Sequence, residues 1–324
     1  MRTLAFTCGD INGIGPEICI KAINKIYQPA ERKIVLFCPA NVFENASQVS
    51  FNYQIVNEYN LSNINPECVT VVDIGKFKQN VGNPSRDSGK AALLSIKSAF
   101  NLVQSKGADA IITAPSSKTA FKLAEVKYPG QTELLAELSH TKKYLMMFLS
   151  DQFICGLATI HEPIKKVSKL LTKQLVKSSL KVLHQTLMRD LGNKNPKIAV
   201  LALNPHAGEN GKMGREEIDS IMPAIKSFKN NFVEGPFVPD AFFANQLYKV
   251  YDAVLGMYHD QVLIPFKMMN FNSGVNFTAG LPIIRTSPDH GTAYDIAGKG
   301  VADPSSMIDA VKWAEKIISN RRKS

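Results

Sequence analysis

No stretch of the 324 residues approaches the roughly 20 consecutive apolar positions that a membrane-spanning helix needs. The opening "MRTLAFTCGD" has one arginine and a short apolar run that stops at Gly-Asp. It reads as a first strand and not as a secretion signal. Cysteine is scarce: Cys8, Cys19, Cys38, Cys68 and Cys155 are odd in number and show no C-x-x-C spacing. That excludes a disulfide framework and a cysteine zinc site, and fits reduced, mostly buried thiols in a cytoplasm. Low-complexity linkers and internal repeats are also missing, so composition marks no domain boundary.

Charge is present in excess of one sign, with 38 Lys and Arg against 28 Asp and Glu. Much of the excess lies between His161 and Lys197. Lys165, Lys169, Lys173, Lys177 and Lys181 repeat every four residues around Ile164, Val167, Leu171 and Leu175. This spacing predicts a solvated helical face. No aromatic residue interleaves the stripe and no nucleic-acid-binding motif occurs, so neither nucleic acid nor membrane is an expected partner. Small anionic ligands account more simply for the remaining basic bias.

Strand and helix patterns alternate along the chain. "TLAFTC", "KIVLFC", "ADAIITAP", "KIAVLAL", "YDAVLGMY" and "LPIIRT" read as strands. "YLMMFLS" and "QFICGLATI" read as two strands joined by a tight turn at Ser150-Asp151. Helices are predicted at "GPEICIKAINKIY", opened by Pro16, and at "SGKAALLSIKSAFNLVQSKG", ended by Gly107. Further helices are predicted near Glu216–Phe228, Asp240–Tyr248 and Pro304–Ile318. The alternation predicts an α/β fold with mostly parallel sheets covered by helices. The polar stretch "QVSFNYQIVNEYNLSNINPECV" gives the weakest pattern.

Three of the six histidines follow predicted strands: His161 after "QFICGLATI", His206 after "KIAVLAL", and His259 after "YDAVLGMY". Ligands of open α/β sheets bind outside the carboxyl ends of strands. Neutral imidazole is the commonest metal ligand, and three ligands with an open position is the catalytic zinc pattern. His140 and His184 fall in helical stretches and read as surface or locally hydrogen-bonded residues. Two glycine-bearing loops, "CGDINGIGPE" and "SPDHGTAYDIAGKGVADP", allow close backbone approach to a ligand, although neither is a G-x-G-x-x-G fingerprint.

"GDINGIGPE" and "DHGTAYDIAGKGVADP" resemble the opening and adenosine-binding loops of the isocitrate and isopropylmalate dehydrogenase superfamily. "YPGQTELLAELS", "LNPHAGENGKMGREEIDSIMPAI", "MYHDQVLIPFK" and "GVNFTAGLPIIRTSPDHGTAYDIAGKG" more closely resemble the 4-hydroxythreonine-4-phosphate dehydrogenase family of vitamin B6 biosynthesis. The similarity runs from Gly9 to about Pro304 and is thin between Asn41 and Asn80.

The resemblance implies two α/β/α domains of the isocitrate dehydrogenase type, with mostly parallel sheets and the active site in the interdomain cleft. Residues 1–130 with 280–324 would form the cofactor-side domain containing both termini. Residues 131–279 would form the metal, substrate and dimerisation domain. It also implies a cytoplasmic homodimer with a shared active site. His161, His206 and His259 would bind a divalent metal, two from one subunit and the third from its partner. Zinc suits three histidines, with magnesium, manganese and cobalt as alternatives.

Gln131, Thr132, Lys267, Asn276 and Arg285 would hold the substrate, chiefly its phosphate. Gly13, Gly15, His290, Gly291 and Asp295 would line NAD, the cofactor favoured by the resemblance, or NADP. The general base is open among Asp260, Lys118 and Asp289, and Asp260 could instead fix a histidine tautomer. Some positions depart from the family pattern. Gln131 stands where histidine is usual, Val262 where glycine is usual, and "GDIN" where "GDPA" is common. "APSSK" has Ser116 and Ser117 in a segment that usually reads differently, with Lys118 kept.

The implied reaction is NAD-dependent oxidation of 4-phosphohydroxy-L-threonine to 2-amino-3-oxo-4-phosphonooxybutanoate. Loss of CO2 then gives 3-amino-2-oxopropyl phosphate, on the way to pyridoxal 5'-phosphate. The same chemistry on another four-carbon phosphorylated hydroxy acid, such as 4-phosphoerythronate, is the alternative that Gln131 keeps open. A phosphate acyltransferase would not need three histidines around a metal. A nucleic-acid binder using the lysine stripe would show steep salt dependence.

Overall fold

The computed structural model describes residues 1–57, 65, 67–228, 232–270 and 273–323. The middle of the polar stretch after Gln48, from 58 to 64 and at 66, lies outside the described residues. The chain forms two compact units, one from Met1–Thr141 with Leu281–Ile318, the other from Lys142–Gly280 with Ser319–Ser324.

The first unit contains β1 (Arg2–Thr7), α1 (Gly15–Ile26), β2 (Arg32–Phe37), α2 (Ala40–Ala46), β3 (Tyr53–Asn57) and β4 (Val69–Asp73). It continues through α3 (Arg86–Gln104), β5 (Ala110–Thr113), α4 (Lys118–Leu123) and α5 (Gln131–Leu138). In chain-order numbering it is completed by β12 (Arg285–Pro288) and by α11 (Ser305–Arg321), up to Ile318. Its strands run in the order β3-β4-β2-β1-β5-β12, all parallel. The central strands are buried on both faces, which is why "LAFT" and "IVLF" read as unbroken apolar runs. β3 alternates exposed and half-buried residues, as an edge strand does. α3 starts on a capping box in which Ser85 and Ser88 exchange side-chain and backbone bonds of 3.1 Å. A Cβ at Gly89 would lie 2.1 Å from the Ala120 carbonyl oxygen, so only glycine lets α3 cross α4 this closely.

The second unit contains β6 (Leu145–Leu149), β7 (Cys155–Leu157), α6 (Ile164–Leu170), α7 (Lys173–Arg189), β8 (Ile198–Leu201) and α8 (Met222–Ile225). β9 (Val233–Phe237), α9 (Pro239–Ala244), β10 (Ala253–Gly256), α10 (His259–Met269) and β11 (Val275–Ala279) follow. The strand order is β11-β6-β7-β10-β8-β9. β6 runs antiparallel to β11 and β7, and the other pairs are parallel. The Ser150 hydroxyl closes the β6–β7 turn, accepting from Phe153 N at 3.0 Å and donating to its carbonyl at 2.9 Å. Phe148, Phe153, Phe242 and Phe266 are the aromatic centre of its core.

Three expectations need correction. The lysine stripe does not lie on one helix: the chain breaks at Leu171, and Thr172 caps a new helix by accepting from Leu175 N. "LPIIRT" begins its strand only at Arg285, although the Ile284 carbonyl already accepts from Ile111 N at 2.9 Å. His140 lies just beyond α5 with φ 51°, a left-handed stop and not a helical position. His184 is within α7 and stacks on Phe232 at 5.0 Å; burial lowers its pKa.

All five thiols are free and buried. Burial pushes the pKa of Cys19, Cys38, Cys68 and Cys155 above the ordinary thiol value.

Asp190, fully buried at the end of α7, accepts from Arg189 at 2.7 and 3.1 Å and from Arg321 at 2.8 and 3.1 Å. Burial alone would raise its pKa, but the two guanidinium groups outweigh burial and hold it below the ordinary value. A depressed carboxyl contributes stability above its unfolded pKa of about 3.9 and loses it as pH falls through the folded value. Urea unfolding of Asp190→Asn at neutral pH is expected to show a loss of about 3 kcal/mol, since a buried ion pair loses one partner. The gap between variant and parent should close below about pH 4. A gap constant down to pH 2 would contradict this account.

Candidate active site

β7, β10 and β8 are adjacent and parallel, so their carboxyl ends open on one edge of the second unit. The ladder continues past the strands, with Ala158 N bonding to Gly256 O and Thr159 N to Met257 O. This brings His161 and His259 together with ring centroids 5.5 Å apart. His259 is the first residue of α10, and its Nδ1 lies 2.6 Å from Asp260 Oδ1. With Nδ1 carrying the proton toward this carboxylate, Nε2 is the nitrogen left for a ligand.

Gln261, buried behind this pair, accepts from Met257 N at 2.7 Å and donates to Ala202 O at 2.6 Å. One amide thus ties the strand end before His259 to the one before His206. Val262 lies in the core with a γ-carbon 2.6 Å from where a Cβ on Gly256 would sit. The valine therefore occupies space that glycine at 256 leaves open.

His206 lies in an unusual turn. From His206 to Asn210 the chain is left-handed, with φ of 52°, 51°, 76°, 40° and 56°. For L-residues this conformation costs roughly 1–2 kcal/mol each, less for asparagine and nothing for Gly208. Glu217, 1 % exposed, braces it: one oxygen accepts from Leu203 N and Asn204 N at 2.8 Å, and the other from Asn204 Nδ2 at 3.0 Å. A Cβ on Gly208 would lie 2.7 Å from the Glu217 carboxylate. Glu216 accepts from Asn204 Nδ2 at 2.7 Å and from the Ser168 hydroxyl, and these bonds lower its pKa.

His161 and His259 fit a divalent metal as two imidazole nitrogen ligands. Among the described residues of one chain, no group of three His, Cys, Asp or Glu is placed to hold an ion, so His206 does not complete the set within the chain. Lys267 is half-buried in the last turn of α10, and Asn276 is half-buried on β11.

The first unit holds the remaining candidates. Arg285 is 4 % exposed on β12. Its Nε donates to Thr113 Oγ1 at 3.0 Å and its Nη2 to Gln131 Oε1 at 3.1 Å. Burial lowers its pKa to about 10, against the pull of the nearby Glu133 carboxylate. Gln131 Nε2 donates to Ala114 O at 2.8 Å, so both ends of its amide are engaged. Thr132 is buried beside it in the first turn of α5. Lys118 is exposed at the start of α4, whose cap is Ser117, and Asp289 is half-buried after β12.

The two glycine loops meet. Ile14 N donates to Thr292 O at 3.0 Å, and a Cβ on Gly13 would lie 2.6 Å from that oxygen. A Cβ on Gly15 would lie 2.3 Å from Cys8 O. His290 Nδ1 lies 3.1 Å from Gly291 O; Gly291 and Asp295 are exposed. Asp10 accepts from the Tyr294 hydroxyl at 2.7 Å, Ser88 Oγ at 3.1 Å and Asn12 N at 2.9 Å. Burial still keeps its pKa raised. Asn12 has a task that the common "GDPA" could not perform. Its amide donates to Asn83 O and Ser85 Oγ and accepts from Asn80 N, stapling the segment before α3.

Glu217, Gln261, Asp10 and Tyr294 were not singled out from the sequence. The signals were there in "REEID", "HDQV", "CGD" and "TAYD", but nothing in a linear pattern says which polar residue is buried.

A curated relative from Sulfurihydrogenibium sp., a 4-hydroxythreonine-4-phosphate dehydrogenase, is 39% identical over 97% of this chain and 98% of its own. The crystal structure of the Klebsiella pneumoniae 4-hydroxythreonine-4-phosphate dehydrogenase matches with a TM-score of 0.84 and 35% identity, covering 98% of this chain and all of that one. A putative enzyme of the same name from Salmonella typhimurium matches with a TM-score of 0.85 and 34% identity, covering 98% and 99%. The model of the family "Pyridoxal phosphate biosynthetic protein PdxA" matches residues 30–314, and the chain belongs to that family.

Proposed function

We propose that this protein oxidises the secondary alcohol of 4-phosphohydroxy-L-threonine with NAD, and that the resulting β-keto acid loses CO2 to give 3-amino-2-oxopropyl phosphate. The observation that carries this reading is the pairing of His161 with His259 at adjacent parallel strand ends, next to the end of β8 that leads to His206, in a chain whose relatives bear that enzyme's name. His161, His206 and His259 hold a divalent metal, zinc by preference, with the set completed across two copies of the chain. When bound, the metal supplies Lewis acidity toward the alcohol, and NAD supplies the hydride acceptor.

Arg285 and Lys267 bind the phosphate, with Thr132 and Asn276 adding directional bonds. Gln131 supports Arg285, and Asp260 orients His259. The loops carrying Gly13, Gly15, His290, Gly291 and Asp295 receive the cofactor. Five buried thiols suit a cytoplasmic enzyme.

The neutral Gln131 favours a second substrate for comparison, 4-phosphoerythronate, which lacks the amine. Purified protein is given NAD, a divalent metal and either substrate. NADH is expected from 4-phosphohydroxythreonine and is abolished by a chelator. NADH from 4-phosphoerythronate alone would move the assignment to that substrate. No NADH from either would refute the dehydrogenase reading.

A further inference from the structure

We propose that Glu217 is a positioning residue that forces the chain into the left-handed turn presenting His206, and thereby sets metal affinity without touching the metal. The inference rests on His206 being a metal ligand.

A left-handed run of five residues with four side chains does not hold itself, because each of His206, Ala207, Glu209 and Asn210 is more stable elsewhere. Something must pay that difference. Glu217 is the group in place to do so. Its buried carboxylate takes the two backbone N–H groups that lead into the turn, those of Leu203 and Asn204. The second oxygen, with Glu216, pins the Asn204 side chain. Asn204 Nδ2 in turn sits 2.4 Å from where a Cβ on Gly214 would be, and the Gly214 carbonyl is 2.9 Å from the Cβ site of Gly208.

The turn is thus enclosed at its entry by Leu203 and Asn204, at its middle by Gly208 against the carboxylate, and at its exit by Gly214. Glu217 itself opens the π-helical turn Glu217–Ile221 that leads into the short helix α8. Its bonds are all to neutral amide donors, and it lies eleven residues from the imidazole it serves. That is the geometry of a group acting through the backbone.

The test is Zn2+ affinity of the full-length protein, read by competition with a chromophoric chelator, together with amide hydrogen exchange of residues 206–211 in the metal-free protein. Glu217→Gln keeps the shape but puts an amide N–H where an acceptor is needed. It is expected to weaken Zn2+ binding roughly 10- to 100-fold, the usual effect of losing a ligand's support. Exchange of the turn should quicken about tenfold or more. Glu209→Gly removes a side chain from a left-handed position at the exposed end of the turn. Added to Glu217→Gln, it should recover part of the affinity, which a general loss of packing would not allow.

Unchanged affinity and exchange in a folded Glu217→Gln protein would overturn the proposal. So would a double variant no better than the single one. If Glu217→Gln does not fold, Asn204→Ala is judged by the same affinity and exchange criteria. His206→Ala is the control: if it too leaves Zn2+ binding unchanged, the three-imidazole reading has failed and not the brace.

Discussion

His206→Ala is expected to lose NADH formation by three orders of magnitude or more while keeping its fold, on the order of 4 kcal/mol of transition-state stabilisation. The fold should survive because His206 is exposed and takes no part in the core. Turnover should not survive, because His161 and His259 alone leave an ion two ligands short of a tetrahedral site. The variant is measured for NADH formation over a range of metal concentrations, with melting temperature alongside. A rate within tenfold of the parent, at the parent's metal requirement, would remove His206 from the metal site.

Arg285→Lys should cost roughly 100- to 1,000-fold in kcat/KM for the phosphorylated substrate, mostly through KM. Lysine keeps the charge but loses the planar fork, and its ammonium cannot meet Thr113, Gln131 and a phosphate in the geometry a guanidinium spans. Two charge-assisted hydrogen bonds at about 1.5–3 kcal/mol each set the scale. Activity on 4-hydroxythreonine without its phosphate should fall far less. Equal losses on both substrates would place Arg285 in support of the fold and not of the phosphate. The arginine can do this work at neutral pH because even its lowered pKa, about 10, leaves it charged.

Sequence patterns reached the architecture where burial is two-sided or periodic. "LAFT" and "IVLF" became central parallel strands, and the 3.6-residue spacing after Pro16 became α1. They failed where a local stop outweighed periodicity. Thr172 capped a new helix in the middle of the lysine stripe. "YQIVN" and "VTVVD" form strands β3 and β4, yet β3 is an edge strand whose weak alternation is diluted by polar neighbours.

The candidate site divides in the same way. Three histidines at strand ends were visible because a strand's end can be read from its apolar run. The left-handed turn was not, because "PHAGEN" offers one glycine and one asparagine for five consecutive positions of positive φ. What holds it is Glu217, a buried carboxylate at the start of the helix predicted near Glu216–Phe228. Gln131, which the resemblance implies as a substrate contact, has its amide bonded to Arg285 and Ala114, partners that no linear pattern shows.

The buried thiols have a practical consequence. Alkylating reagents attack the thiolate, and a buried thiol with a raised pKa offers neither access nor charge. Labelling of Cys19, Cys38 and Cys155 in the native protein must therefore wait for the chain to open around each of them. Cys8, Cys19 and Cys38 cluster at the carboxyl ends of β1 and β2 and in α1, while Cys155 lies in β7. The same chain thus carries native clocks for its two units, and the rate at which each thiol is captured reports the opening of its own surroundings without any probe being introduced.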